Sequence, residues 1–129
     1  IRLKRLCPQQ NVAYYLPTYP LIEDIAFQRF PALFERNGVG FKLNKQKATL
    51  HTEIGNIIFR NMEQPDRIVG YEVAHSIVDE LDTLPINKAR MVWNKIIARN
   101  RQKAHTQSGL VIPNSVGVAT TPEGFRPAR

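Results

Sequence analysis

The stretch "HSIVDELDTL", residues 75–84, ends an apolar run in the adjacent acids Asp79 and Glu80, with Asp82 two places on. Neighbouring carboxylates at the tip of a buried strand suit the hydrolysis of a nucleoside triphosphate, which is mostly positioning and charge neutralisation. That chemistry needs one carboxylate near a magnesium ion and a second to orient and deprotonate water. Successive side chains diverge at a strand end, so the two acids can serve different atoms. Asp79 would hold the magnesium shell through water. Glu80 would polarise the attacking water, help worth about 10²–10⁴-fold in rate. A second cluster, "TTPEG", starts at Thr120 and Thr121. Their hydroxyls could hydrogen-bond a terminal phosphate or the water, and so report whether that phosphate is present. Each cluster also has a plainer reading. The acids could be a solvated turn after a strand, and "TTPEG" a reversal in which threonine caps backbone amides.

For the two clusters to share a ligand, two neighbouring strands must carry them. Ser76–Asp79 and Ser115–Ala119 read as short apolar strands. Between them Pro85 can open a helix running to about Lys103, with Ile86, Ala89, Trp93, Ile96 and Ile97 on one face. Strand, helix, strand is a crossover that makes the strands parallel neighbours. Both clusters then fall at the carboxyl ends, where ligands of such sheets collect. Upstream, Val12 to Leu16 reads as a buried strand stopped by Pro17. Leu21, Ile25, Phe27, Phe30 and Phe34 follow at helical spacing, with a kink or break predicted at Pro31. "RNGVG" closes that segment. "KATLHTEIGNIIFRN" reads as a hairpin turning around Glu53 to Asn56, relaxed by Gly55. "NMEQPDRIVGYEV" is a loop or short helix. The sum is an α/β sheet covered on both faces.

The chain has 129 residues, enough for one domain with a real core. With 43% hydrophobic and 22% charged residues it is globular in composition, not disordered. Eighteen basic against eleven acidic residues leave a net charge of +7, which favours an anionic partner such as nucleic acid. Lys88, Arg90, Lys95, Arg99, Arg101 and Lys103 cluster on the predicted helix with no acid among them. That helix could lie along a phosphate backbone, with Lys88, Lys95 and Arg99 as contacts, or simply be solvated. Arg60 and Arg67 are further basic candidates. Trp93 falls on the apolar stripe and reads as core. Tyr14, Tyr15 and Tyr19 could touch a base, though strand packing explains them as well. Cys7 is the sole cysteine, which excludes an internal disulfide and points to a reducing compartment. His51, His75 and His105 lie far apart and lack cysteine companions, which argues against zinc. No run approaches the roughly 20 apolar residues of a membrane span, and no secretion signal is visible.

Four stretches, in order, carry a resemblance: "YYLPTYPLIEDI", "GNIIFRNMEQPDRIVGYEV", "HSIVDELDTL" and "NSVGVATTPEGFR". Together they resemble the ATPase domain of tailed-phage terminase large subunits, the motors that pump DNA into a capsid. They span about residues 12–126. The resemblance implies a partial P-loop ATPase core of the RecA-like kind. Its sheet would be mostly parallel, with flanking helices and an inserted β-hairpin, and with the first strand and phosphate loop missing. It implies ATP and Mg²⁺ as cofactors. Asp79 corresponds to the Walker B aspartate, Glu80 to the catalytic glutamate, and Thr120 and Thr121 to the coupling motif at the nucleotide. The family's arginine-glycine pair before the acidic strand is partly kept: Gly70 is present, Val69 stands where arginine is usual, and Arg67 lies two places earlier.

Nothing in the chain reads Gly-x-x-x-x-Gly-Lys-Ser/Thr, and the family's acidic nuclease cluster is missing too. The implied reading is a single piece, 1–129, from the middle of the ATPase domain. The implied partners are double-stranded DNA, the portal protein and the small terminase subunit. The intact protein would form a homo-oligomeric ring at the procapsid portal in the cytoplasm of a bacterial host, with no membrane. By itself this piece is expected to hydrolyse little ATP. Val116 to Ala119 would also present an unpaired apolar edge, making it poorly soluble or dimeric. A helicase-like ATPase and a non-catalytic basic DNA-binding module are the alternatives.

Overall fold

In the computed structural model, residues 10–102, 104–105 and 111–119 are described. Val12–Leu16 forms β1, whose almost continuously buried side chains mark a strand covered on both faces. It lies in the interior of a six-stranded sheet of order β2-β3-β4-β1-β5-β8. The other strands are β2 (Phe41–Asn44), β3 (Thr49–Thr52), β4 (Gly55–Asn61), β5 (His75–Asp79) and β8 (Ser115–Ala119). The short pair β6 (Ala104–His105) and β7 (Val111–Ile112) stands apart as a two-stranded ribbon. β1 runs parallel to both β4 and β5, and β5 runs parallel to β8 with His75 opposite Ser115 and Asp79 opposite Ala119. β2 and β3 add an antiparallel flank to β4. The sheet is therefore mixed and mostly parallel, with helices on both faces.

Thr18 caps the turn that follows β1, its hydroxyl accepting from the Leu21 amide. A helical turn, Tyr19–Leu21, runs into a wide π turn at Ile22–Ala26 and then into helix α1, Phe27–Arg36. Pro31 sits inside α1 without ending it. The break expected at Pro31 is therefore absent, and the irregular stretch is the π turn at Ile22–Ala26, before α1 begins. There the Phe27 amide reaches back to Ile22, the wide spacing of a π turn. "RNGVG" ends α1 with Gly38 in the left-handed region, φ 70°. Val39 donates to Phe34 and Gly38 to Glu35, which satisfies two of the helix's last carbonyls. Phe34, Val39, Ile22, Phe27 and Phe59 share one buried cluster.

The opposite face is covered by α2, Ile86–Arg99, and by the segment between β4 and β5. Here the structure corrects the predicted helix twice. It stops at Arg99, short of Lys103, and beside Ile96, buried as expected, the other buried residue is Val92. Ile86 and Ile97, assigned to the apolar face, are 55% and 48% exposed. The face on the sheet is turned toward Val92, because α2 packs over Ala13, Tyr15 and Val78. Trp93 is only half-buried.

Polar side chains pin the amino-terminal edge of the sheet. His75 Nδ1 and Ser115 Oγ lie 2.6 Å apart, and Ser76 Oγ donates to Asn100 Oδ1 at 3.0 Å. Asn114 donates to the carbonyls of Ala74 and Gln102. These bonds tie the end of α2 and the start of β8 to β5, which fixes the register of β8. A one-residue slip would turn every β8 side chain to the wrong face.

Candidate nucleotide site at the strand tips

α1 and α2 cover opposite faces of the sheet. The chain leaves β1 toward β4 on one side and leaves β5 toward β8 on the other. The crevice between β1 and β5, beyond their carboxyl ends, is thus a topological switch point, the place where such sheets bind ligands. Asp79 and Glu80 stand at it. Val78 lies on the α2 face and Asp79 on the α1 face, because successive residues of a strand alternate.

Glu80 follows with φ 56° and ψ 35°, a left-handed conformation in a residue other than glycine. Such backbones cost of order 1–3 kcal/mol and persist only where the surroundings hold them. The Glu80 amide donates to the carbonyl of Ala119 at 2.8 Å, and its own carbonyl accepts from Thr83 N at 3.1 Å and Thr83 Oγ1 at 2.7 Å. The first of these bonds binds the tip of β5 to the tip of β8. Ala119 is the residue before Thr120 in sequence; Thr120 and Thr121 themselves lie outside the described residues.

Tyr14 is the residue that sequence reasoning left without a role here. Its phenol donates to Asp79 Oδ2 at 2.7 Å. Burial, then the hydrogen bond to Asp79, pushes that phenol well above its ordinary range, so it remains a donor. The ring is held edge-on by Phe30 and Phe59. Tyr14 and Asp79 are on different strands, two rows apart, and only the register of β1 on β5 brings them together. On the Asp79 face, β8 contributes Ser115, Gly117 and Ala119, and a Cβ added at Gly117 would meet nothing within 4 Å. The crevice therefore has a wall at Tyr14 and is open on the β8 side.

Among the described residues no three His, Cys, Asp or Glu side chains come together as a metal cage. Two adjacent carboxylates suit magnesium instead, which keeps several waters and leans on one or two carboxylates plus phosphate oxygens. The residues present fit that ion, and among the described residues the side-chain hydrogen bond of Asp79 engages Oδ2.

The other basic and aromatic candidates separate. Tyr15 is fully buried, its hydroxyl 2.9 Å from that of Tyr71. Burial raises both phenols. Arg60 stacks on Tyr71 at 5.2 Å and donates to the carbonyls of Phe59 at 2.7 Å and Lys47 at 3.2 Å, so it clamps the β2–β3 turn. Arg67 ends a short 3₁₀ turn, Pro65–Arg67, and lines a cleft of about 470 Å³ with Lys47, Arg60 and Tyr19. Val69, which the sequence resemblance sets against an arginine, is 52% exposed. Lys88, Lys95 and Arg99 are half-buried along α2, while Arg90 faces solvent. Arg101 is offset after all, by Glu72 at 3.3 Å from the loop before β5. Lys103 and Cys7 lie outside the described residues. Among those residues no helix is long and apolar enough to cross a membrane.

No known family's sequence profile matches the chain, and no curated protein sequence does. Solved structures do. The large terminase of a thermophilic bacteriophage superposes with a TM-score of 0.65 at 13% identity, over 88% of this chain and 26% of that one. The same terminase in complex with ADP gives a TM-score of 0.62 at 14% identity, over 88% and 26%. The large terminase ATPase domain of Thermus phage P74-26 gives 0.53 at 16% identity, over 87% and 48%. The chain thus spans about a quarter of the whole terminase it matches and about half of the separate ATPase domain. A mixed six-stranded sheet with helices on both faces, joined in this order, is the fold this chain shares with the ATPase domains of phage large terminases.

Proposed function

We propose that the chain is the central part of the ATP-hydrolysing motor of a phage-type large terminase, which drives double-stranded DNA into a capsid. In this reading Asp79 holds the water shell of a magnesium ion that neutralises triphosphate charge. Glu80 accepts the proton of the attacking water. Thr120 and Thr121 sense the terminal phosphate and pass its loss to the DNA-gripping parts. Lys88, Lys95 and Arg99 are the candidate DNA contacts. The phosphate loop comes from sequence outside this piece, as do contacts to the portal and the small subunit.

The observation that carries the proposal is the conformation of Glu80. A left-handed residue follows directly on Asp79 at the tip of an interior parallel strand, with its amide on the strand that leads to Thr120. An ordinary acidic turn has no need of that conformation. The terminase fold agrees with this, and a related terminase has been solved with ADP.

The test joins the chain to an upstream segment bearing a phosphate loop and measures DNA-stimulated ATP hydrolysis. Glu80→Gln is expected to lower turnover at least about 10²-fold, as loss of general-base help does, with DNA binding intact. Lys95→Ala with Arg99→Ala is expected to weaken DNA binding and its stimulation. DNA binding that depends on Lys95 and Arg99, with no Glu80-dependent hydrolysis at all, would instead make the chain a basic DNA-binding module.

A further inference from the structure

We propose that Tyr14 is a positioning residue for the metal carboxylate: by donating to Oδ2 of Asp79 it presents Oδ1 alone to the water shell of the ion. The inference rests on the reading of Asp79 given above.

Three observations carry it. First, the bond spans the switch-point crevice. Tyr14 lies opposite Ile77 in the β1–β5 register, so Asp79 is two residues farther along. That distance is about 6.6 Å at roughly 3.3 Å of rise per residue. The phenol must therefore lean along the strand toward the carboxyl edge to reach Oδ2 at 2.7 Å. Second, the lean is imposed. Phe30 meets the Tyr14 ring edge-on at 5.0 Å between centroids and Phe59 at 6.4 Å. Phe59 is fully buried and Phe30 meets it in turn, so the ring has a fixed support. Third, among the described residues β8 sets Ser115, Gly117 and Ala119 on that face, small residues with no side-chain bond to Asp79.

A lone carboxylate at a strand tip can rotate and offer either oxygen. One oxygen held by a charge-assisted hydrogen bond leaves a single, directed acceptor, which is how outer partners orient metal ligands. The same contact joins the site to the aromatic cluster under α1. Movement of that helix would therefore be felt at Asp79.

The experiment uses the 129-residue chain and Mn²⁺ as the probe, followed by paramagnetic broadening of the backbone amide signals of residues 77–81. Wild type should show broadening confined to that tip, and Asp79→Asn should abolish it. Tyr14→Phe removes one oxygen and keeps the ring. It should shift the Mn²⁺ midpoint about 10-fold upward, as loss of an outer partner typically does, with its melting temperature within a few degrees of wild type. A Tyr14→Phe midpoint equal to that of wild type, with Asp79→Asn still silent, overturns the role of Tyr14 and leaves the site standing. Broadening that survives Asp79→Asn, or none at the tip in wild type, overturns the site and this proposal together. Tyr14→Leu separates the ring from the hydroxyl. It should match Tyr14→Phe in Mn²⁺ midpoint while melting lower, and a midpoint nearer wild type than that of Tyr14→Phe overturns the proposal as well.

Discussion

Glu80→Gly should make the protein more stable while removing its proposed base. The wild-type residue sits at φ 56° and ψ 35°. For an L-residue this conformation costs about 1–2 kcal/mol, and glycine adopts it freely. Against that gain, glycine loosens the unfolded chain by about 0.4–1 kcal/mol. Among the described residues the Glu80 side chain makes no capping hydrogen bond, and the backbone bonds to Ala119 and Thr83 remain available. The net expectation is a gain of about 0.5–1 kcal/mol, or about 2–4 °C in melting temperature for a chain of this size. Glu80→Gln keeps the strained backbone and should stay within about 0.5 kcal/mol of wild type. Thermal and urea unfolding of the three proteins, followed by circular dichroism, decides the matter. Ala48 supplies an internal comparison. It too is left-handed, at φ 47°, but in the β2–β3 turn far from the acids, so Ala48→Gly should stabilise by a similar amount. A Glu80→Gly protein no more stable than Glu80→Gln would show that the tip is not strained, and the functional argument from that strain would fall.

Other consequences follow from particular contacts. Arg60→Lys should lower stability by about 1–3 kcal/mol in urea unfolding, because an ammonium cannot serve several carbonyls and stack on Tyr71 at once. A change below 0.5 kcal/mol (about the scatter of neutral surface substitutions) would show that the clamp does not matter. The buried phenols Tyr15 and Tyr71 keep their protons to higher pH when folded than the ordinary value of 10.0. Their contribution is therefore fully present below pH 10 and declines as pH rises above it, at up to about 1.4 kcal/mol per pH unit for each. Stability that stays flat from pH 9 to 11 would contradict that burial. β8 is an edge of the sheet as described, with Val118 48% exposed, so self-association is expected in sedimentation and Val118→Lys should reduce it. A wild-type chain that is monomeric at high concentration would count against this.

The interior strands were legible because a parallel strand buried on both faces must be nearly continuous in apolar residues. "VAYYL" and "HSIVD" carry that signature, and the hairpin at Glu53 to Asn56 carries its glycine. β2 went unread because "FKLN" is short and half-exposed on the flank of the sheet, where packing leaves little mark on composition. The buried face of α2 was read correctly at Ile96 but not at Ile86 and Ile97, because apolar residues surround that helix. Ile86 and Ile97 fit a stripe as well as Val92 does, and only the sheet beneath chooses among them. The acids were visible as residues, but their arrangement was not. A left-handed glutamate has no sequence signal, since glycine is the usual occupant. The Tyr14–Asp79 bond depends on a register between strands 65 residues apart in sequence.

In the proposed function, the tips of β5 and β8 meet around one magnesium-bound triphosphate. The most direct test of that function is a crystal structure of the chain, joined to a phosphate-loop segment, with Mg²⁺ and a slowly hydrolysed ATP analogue. The terminal phosphate is expected beyond Asp79 and Ala119, with the ion's water shell on Asp79 Oδ1 and Glu80 facing the line of attack. A nucleotide bound elsewhere, or a triphosphate bound at this edge without contact to either acid, would contradict it.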